Sequence, residues 1–297
     1  MKVRDSKDRR LSCVTSAVTL SLLHVIIGAA LIAGIVLLAG SLMDDVQVHL
    51  GLQHYSESLS PLSTTWLPMP FNTMVNFGYI AVSIFWILRV HSLLTRDAIS
   101  VDHAYLMCVV AWMLLLYGPV QLVRIVTHSR VAGILDQWYT LPIFAWVGVS
   151  CREIGQPLDL RNTWSVGIIM TLSVASYGLA LQYRHGFEMA LAAHIFCVVV
   201  QAWRVHQLSF PKRDLERKRR QVAFCRALVC CLGFVTLKLA DWHLARLLPI
   251  PFAVFTGHFW SKIADFMQAH YSCQFLEASL PARLDSEPES ISDHKDK

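Results

Sequence analysis

A polar stretch between two long apolar segments, at residues 117–146, holds the side chains of this chain best suited to chemistry. Its polar and ionisable members include Gln121, Arg124, His128, Arg130 and Asp136. Charges at membrane depth are costly and usually face a partner, a cavity or a substrate path. A carboxylate there can act as a general base, and a guanidinium can stabilise an oxyanion. The stretch therefore indicates either a buried ion-pair network or a reactive site.

A second group of ionisable residues lies in the later apolar segments. His258, Lys262 and Asp265 are spaced at i, i+4 and i+7, which places them on one face of a helix. The other members are Glu188, His194, Lys238 and Asp241. Acidic and basic members nearly balance, so we expect these charges to pair with one another. Two interpretations stay open: a network that fixes the helix register, and a ligand-binding or catalytic cavity.

The elements that position these residues are predicted to be membrane helices. Hydrophobic residues make up 55% of the chain and charged residues 16%, below the soluble norm of about a quarter. The apolar residues fall in long blocks, which indicates membrane spans. About eight spans are predicted, at residues 14–43, 71–94, 104–127, 132–151, 164–183, 187–208, 222–247 and 254–276. The predicted fold is an all-α polytopic membrane protein, with a membrane domain at 13–278 between terminal segments 1–12 and 279–297.

Basic residues predict how these spans are oriented. The N-terminus and residues 212–220 are rich in Lys and Arg, whereas residues 44–69 contain neither. By the positive-inside rule, both termini and residues 212–220 face the cytosol, and the intramembrane charges gather in the lumenal half. The tail from Ser279 has Ser, Pro and mixed charge and is predicted to be disordered.

Composition also excludes some classes of protein. The sequence has no known nucleic-acid-binding motif, and no basic surface for nucleic acid is evident in it, so no nucleic-acid partner is predicted. The eight cysteines lie almost all in or beside apolar spans and imply no disulfide framework. The predicted partners are membrane lipids, and a protein partner stays open.

Several long motifs, in order along the chain, resemble the transmembrane protein 187 family. They are FNTMVN (71–76), LLYGPVQ (115–121), LDQWYTLPIFAW (135–146), ASYGLAL (175–181), HGFEMALAAH (185–194) and GHFWSK (257–262). The resemblance runs from about residue 40 to residue 276. It implies a membrane protein of this family without implying an activity.

A more distant resemblance carries a mechanism. Asn72, Thr73 and Asn76 are similar to the first core helix of the alkaline ceramidases, and Leu135-Asp136 is similar to the start of their third. GHFWSK is similar to their His-x-x-x-His motif. These enzymes belong, with the progestin/adipoQ receptors, to the CREST superfamily of seven-helix membrane zinc hydrolases. The resemblance implies a seven-helix CREST-like bundle preceded by one extra N-terminal helix.

The chain departs from the CREST pattern at two of the three metal-binding histidines. Ile125 and Lys262 stand at those positions, so only His258 and Asp136 remain as candidate metal ligands. Zinc needs three or four N, O or S ligands, and a protonated lysine repels it. We expect Lys262 to stay protonated because carboxylates lie near it. No cofactor is therefore predicted.

Three hypotheses for function follow. The first is a non-catalytic relative of the membrane hydrolases, a multi-pass protein of the Golgi, trans-Golgi or another endomembrane, that binds a lipid or a partner. The second is a lipid amidase or esterase, with Asp136 or His258 as general base and Arg124 or Lys262 at the oxyanion. The third is a transporter with a charge relay, although no internal repeat is evident. The predicted pocket comprises Asn72, Asn76, Gln121, Arg124, Asp136, Glu188, His194, Lys238, Asp241, His258, Lys262 and Asp265.

Overall fold

The computed structural model describes residues 2–50, 55, 57, 64, 66–67, 69–154, 160–207, 214–252 and 254–280. Within these ranges every regular element is helical and no β-strand occurs, which confirms the all-α prediction. The cysteines from Cys108 onward, whose side chains the structure describes, are all free thiols. Most of the tail predicted to be disordered, from residue 281 onward, lies outside the described residues.

The helices are numbered in chain order, with a 3-10 turn at Gly40–Met43 after the first. They are α1 (Lys2–Leu38), α2 (Pro70–Met74), α3 (Phe77–Thr95), α4 (Val101–Thr127), α5 (Arg130–Glu153), α6 (Leu160–Ser176), α7 (Gly178–Gln182), α8 (Gly186–Gln207), α9 (Asp214–Leu239), α10 (Asp241–Leu247), α11 (Pro249–Phe252) and α12 (Gly257–Ser279).

In the described part of the chain, six helical segments are long and apolar enough to cross a membrane. They are Ser16–Leu38, Pro70–Thr95, Val101–Thr127, Trp164–Gln182, Gly186–Gln207 and Asp214–Leu239. The α5 and α12 helices correspond to the other two predicted spans and are not among these six. They have 24 and 23 residues, about 35 Å each, but several of their buried residues are polar.

Some predicted spans are divided or displaced. The span predicted at 71–94 breaks between α2 and α3, where the Asn76 side chain donates to the carbonyls of Asn72 and Thr73. Such side-chain bonds compete with the helical ladder, and the backbone there changes to i→i−3 bonds. The helix α9 begins at Asp214 rather than near residue 222 because acidic residues in its first turn suit the helix dipole.

The long helices pack into a ring with α1 outside it. α4 lies between α3 and α5, α5 contacts α8, α8 contacts α9, and α12 packs on α9 and closes the ring against α3. α1 packs on the outer side of α4 and α5. The main core cluster includes Trp86 and Trp146, which are each 1% exposed.

A tight turn between α4 and α5 aligns the polar stretch. His128 ends α4 in the left-handed conformation, with φ of 50°. Ser129 then caps α5, because its hydroxyl accepts a hydrogen bond from the backbone N–H of Ala132. The two helices therefore run antiparallel, and Arg124 in the last turn of α4 lies beside the start of α5.

Polar contacts fix α1 to the ring. Arg130 donates to the backbone carbonyls of Met43, Asp44 and Val46 at 2.6–2.7 Å. Those three carbonyls belong to the segment that follows α1. Within α1 itself, the Ala29 carbonyl accepts a hydrogen bond from the Tyr139 hydroxyl at 2.7 Å. Together these contacts set the position of α1 along its own axis.

Candidate functional site

An ion pair between α4 and α5 forms the centre of the site. The Arg124 guanidinium contacts Asp136 Oδ2 through Nη1, and Nη2 donates to the His49 carbonyl at 2.9 Å. Both side chains are almost fully buried. Because the charges are opposite and share hydrogen bonds, each one compensates the desolvation of the other. The pair joins the α4–α5 turn to the loop that follows α1.

The other oxygen of Asp136 is occupied by neutral donors. The Tyr117 hydroxyl donates to Oδ1 at 2.8 Å, and Gln121 Nε2 donates to the same oxygen. Thr140 lies 3.1 Å from the Tyr117 hydroxyl. Sequence reasoning missed Tyr117 and Thr140, although Tyr117 lies four residues before Gln121 and Thr140 four residues after Asp136, which places each pair on one helical face.

Two tyrosines connect this pair to the charges on α12. Lys262 is 2% exposed, and its Nζ lies 5.9 Å from the ring centroid of Tyr79 and 5.8 Å from that of Tyr117. These are cation–π distances. The two rings meet edge to face at 5.2 Å, and the Tyr79 hydroxyl donates to Asp265. The cluster formed by Asp136, Tyr117, Tyr79, Lys262 and Asp265 is therefore continuous from α5 to α12.

His258 begins the same face of α12 and is 3% exposed. Its backbone N–H donates to Asp241 Oδ1 at 3.0 Å, and its ring packs edge-on against Tyr55 at 4.5 Å between centroids. Tyr55 shares a small apolar cluster with Met69 and Ile125. An apolar contact with a loop residue thus stands where the CREST pattern would place a metal-binding histidine.

The loop before α2 is attached to the site by Glu57, which sequence reasoning also missed. Its carboxylate oxygens accept from the backbone N–H groups of Phe71 and Asn72, each at 3.1 Å. Asn72 in turn accepts from the Thr256 hydroxyl at 3.3 Å. Burial raises the pKa of the Glu57 carboxyl, and the two N–H donors offset part of that rise. Glu57 is a single acid in an irregular loop, and no spacing in the sequence marks it.

Two of the predicted pocket residues, Glu188 and His194, lie outside this cluster. Glu188 is exposed. His194 bonds to the Ser173 hydroxyl at 2.8 Å and lines a different, apolar cleft of about 330 Å³.

Lys238, near the end of α9, lies at the edge of the cluster. It is half-buried, with its ammonium 5.8 Å from the Phe234 ring centroid, and it interacts electrostatically with Lys262 and Asp265. The structure brings the other predicted residues to the α2–α3 junction, the end of α4 and the first turns of α5, α10 and α12.

The donor set does not fit the zinc site of the CREST pattern. Among the described residues, no group of three His, Cys, Asp or Glu side chains is arranged to hold a metal ion. Asp136 is engaged by Arg124, Gln121 and Tyr117, and Lys262 lies beside a pair of tyrosine rings. An arginine cannot ligate a metal, and a lysine ligates only after losing its proton.

A large apolar groove adjoins the cluster on its α1 side. It has a volume of about 580 Å³ and is lined by α1, α4, α5, α6 and α7. Tyr117 belongs both to this groove and to the hydrogen-bond network around Asp136. Gly28 and Ala29 on α1 and Pro142 on α5 all line it. The arrangement can hold an extended apolar ligand beside a small set of buried polar groups.

Comparison with known proteins gives a consistent result. The sequence pattern of the TMEM187 protein family matches residues 21–277. Transmembrane protein 187 of Homo sapiens is 40% identical over 256 residues, which cover 85% of this chain and 90% of that protein. Transmembrane protein 187 of Bos taurus is 36% identical over 243 residues, which cover 79% and 88%. No solved structure matches.

Proposed function

The chain belongs to the TMEM187 family, and from that premise we propose that it is a multi-pass membrane protein that binds a membrane lipid without catalysis. The lipid lies in the groove between α1 and the ring, which we name the α1 groove. The protein resides in the Golgi, trans-Golgi or another endomembrane, with both termini in the cytosol.

The observation that carries this proposal is the continuity between the α1 groove and the buried polar cluster at Tyr117. Ligand pockets are mostly apolar, with a few polar groups that orient the ligand. Groove volumes of about 300–1,000 Å³ suit a small ligand, and the α1 groove holds about 580 Å³. Its position among apolar, partly exposed helices such as α1 and α6 favours a ligand that arrives through the bilayer.

The hydrogen bonding supports binding over hydrolysis. A general base needs a free lone pair within reach of the substrate proton. Asp136 already faces Arg124, Gln121 and Tyr117, so its oxygens are engaged. Arg124 is itself engaged by Asp136 and the His49 carbonyl. A lipid amidase would need these groups released, and transport would need them to exchange partners.

The proposed membrane arrangement has eight spans, with α5 and α12 crossing beside the six apolar segments. Ring closure supports this, because α5 and α12 pack between spanning helices and bury Asp136 and Lys262 among them. Polar residues in membrane helices face the bundle interior in this way. In this arrangement α1 is the extra helix before a seven-helix, CREST-like bundle, which consists of the six long helices of the ring and α6 packed against α5.

Photo-crosslinking in nanodiscs tests the proposal. The probe is a phosphatidylcholine with a diazirine in its acyl chain. We expect crosslinks on α1, α5 and α6. Gly28→Trp fills the α1 groove and should reduce labelling there several-fold. Gly34→Trp is the matched control, because both glycines lie on α1 with open space around an added Cβ and only Gly28 lines the groove.

Three results would overturn the proposal. Equal labelling of the wild type and Gly28→Trp would show that the groove holds no lipid. Fatty-acid release from a ceramide or ester by the wild type, lost in Asp136→Asn, would favour the hydrolase. Solute flux in liposomes that depends on Asp136 would favour the transporter.

A further inference from the structure

We propose that a second groove binds the anionic headgroup of a membrane phospholipid. It lies between the end of α3, the start of α9 and the end of α12, and we name it the basic groove. Ile99, two residues before α4, lines it, whereas Arg124 lies in the last turn of α4. The 27 residues of α4 span about 40 Å. The basic groove is therefore at the opposite end of the bundle from Asp136.

The shape of the basic groove suits a lipid at the membrane surface. Its volume is about 730 Å³, and Phe85, Trp86 and Leu93 of α3 form an apolar wall. Phe85 is 50% exposed, so this wall continues onto the outer surface of the helix. The groove thus offers apolar contact toward the bilayer and opens at the end of the spans, where headgroups lie.

The charges of the basic groove favour an anion. Four basic side chains and two acidic ones line it: Arg89, Lys218, Arg219, Arg226, Glu216 and Glu277. Arg89 pairs with Glu277 at 2.6 Å, and the Arg226 guanidinium lies 5.5 Å from the centroid of the Tyr271 ring. These contacts hold two of the cations in place. Lys218 and Arg219 are exposed and line the groove from the start of α9.

The predicted orientation strengthens the assignment. The basic segment that begins α9 is predicted to face the cytosol, where the leaflet carries anionic lipids. Basic residues near such a surface attract those lipids. Basic residues that only orient a span need no cavity behind them. Here they line a groove that also has an aromatic wall and an arginine held against a tyrosine ring. Such a groove can bind the phosphate and part of an acyl chain.

Native mass spectrometry of the full chain in mild detergent tests this inference, with titrations of phosphatidylserine and phosphatidylcholine. Lys218→Ala/Arg219→Ala should weaken phosphatidylserine binding by roughly tenfold or more, because each nearby cation adds to the attraction. The charge-matched control is Arg204→Ala/Arg217→Ala, which removes two exposed cations that do not line the groove. It should bind as the wild type does.

A second variant separates the cavity from the charge. Ala98 is exposed and lines the basic groove. Ala98→Trp fills the groove while every basic residue remains, and it should also weaken phosphatidylserine binding.

Equal weakening in both double variants, or wild-type binding in Ala98→Trp, would overturn the inference, since either result would mean that general surface charge, and not the groove, attracts the lipid. Displacement of the lipid by inorganic phosphate alone would reduce the groove to a simple anion site. Gly28→Trp should leave phosphatidylserine binding unchanged, so the proposals for the α1 groove and for the basic groove are tested independently.

Discussion

The Tyr117 hydroxyl donates to Asp136 Oδ1 at 2.8 Å while the same ring faces the ammonium of Lys262. One side chain therefore contacts a buried anion through its hydroxyl and a buried cation through its ring face. The negative face of the ring attracts the ammonium, and the phenolic O–H donates to the carboxylate. Tyr117 thus joins two charged groups that lie on different helices.

Breaking the ion pair between Arg124 and Asp136 should destabilise the protein. Arg124→Met or Asp136→Leu alone should cost about 3–5 kcal/mol, because each strands a buried charge. The double variant should recover part of that loss. The measurement is the unfolding temperature and the yield of monodisperse protein in detergent. Arg89→Met is the control, since the Arg89–Glu277 pair is more exposed and should cost about 0–1 kcal/mol. Strictly additive losses at Arg124 and Asp136 would mean that the two do not stabilise each other.

Purified wild-type protein should contain no stoichiometric zinc and should not hydrolyse ceramide. The variant Ile125→His/Lys262→His restores the histidines of the CREST pattern beside His258 and should raise zinc bound per chain, as measured by elemental analysis. Ile125→His alone, with Lys262 still in place, should bind less zinc than the double variant. One zinc per wild-type chain would contradict the prediction and put the hydrolase hypothesis first.

The stability of the protein should depend on pH through Glu57. Burial raises the pKa of this carboxyl above its unfolded value, and Asp241 adds to the rise. The folded state therefore takes up the proton more readily, and the contribution of this group is greatest at low pH and is lost as pH rises through the folded pKa. From neutral pH toward about pH 5, the unfolding temperature of the wild type should rise relative to Glu57→Gln. A difference that stays constant with pH would contradict this.

Proteolysis of sealed vesicles should show which side the basic segment faces. A protease added outside intact endomembrane vesicles should cut at residues 212–220 and remove tags at both termini, because the basic residues hold these regions in the cytosol. A tag placed in residues 44–69 should be protected until detergent is added. Cleavage at residues 212–220 only after the membrane is opened would reverse the proposed orientation.

Sequence patterns predicted the helices well and their ends less well. Long apolar blocks are sufficient to predict α1, α4 and α8. The break before α3 depends on Asn76 bonding to the carbonyls of Asn72 and Thr73, and periodicity does not report such local competition. The early start of α9 depends on its acidic first turn, which a hydropathy argument passes over.

The charged residues of the candidate site could be predicted from the sequence, but the neutral residues that bond to them could not. Arg124 and Asp136 stand out because ions are rare in apolar segments. Tyr117 and Tyr79 look like ordinary membrane aromatics, and only the helix packing shows that both contact Lys262. Glu188 looks equivalent to Asp136 in sequence, yet it is exposed, whereas Asp136 is buried and paired with Arg124. Which charged side chains lie close together depends on how the helices pack, and the sequence alone does not show this.

Because hydrogen bonds fix α1 along its axis, the length of this helix sets how far the α1 groove extends across the membrane. From His24 to Leu38, both in α1, the helix runs about 21 Å, whereas half of the hydrocarbon core is about 15 Å thick. Because Arg130 and Tyr139 prevent α1 from sliding, its position against α4 and α5 is constant. If α1 spans the bilayer and its groove holds a lipid, as proposed, the groove passes the bilayer midplane, and we expect chains from either leaflet to compete for the same space.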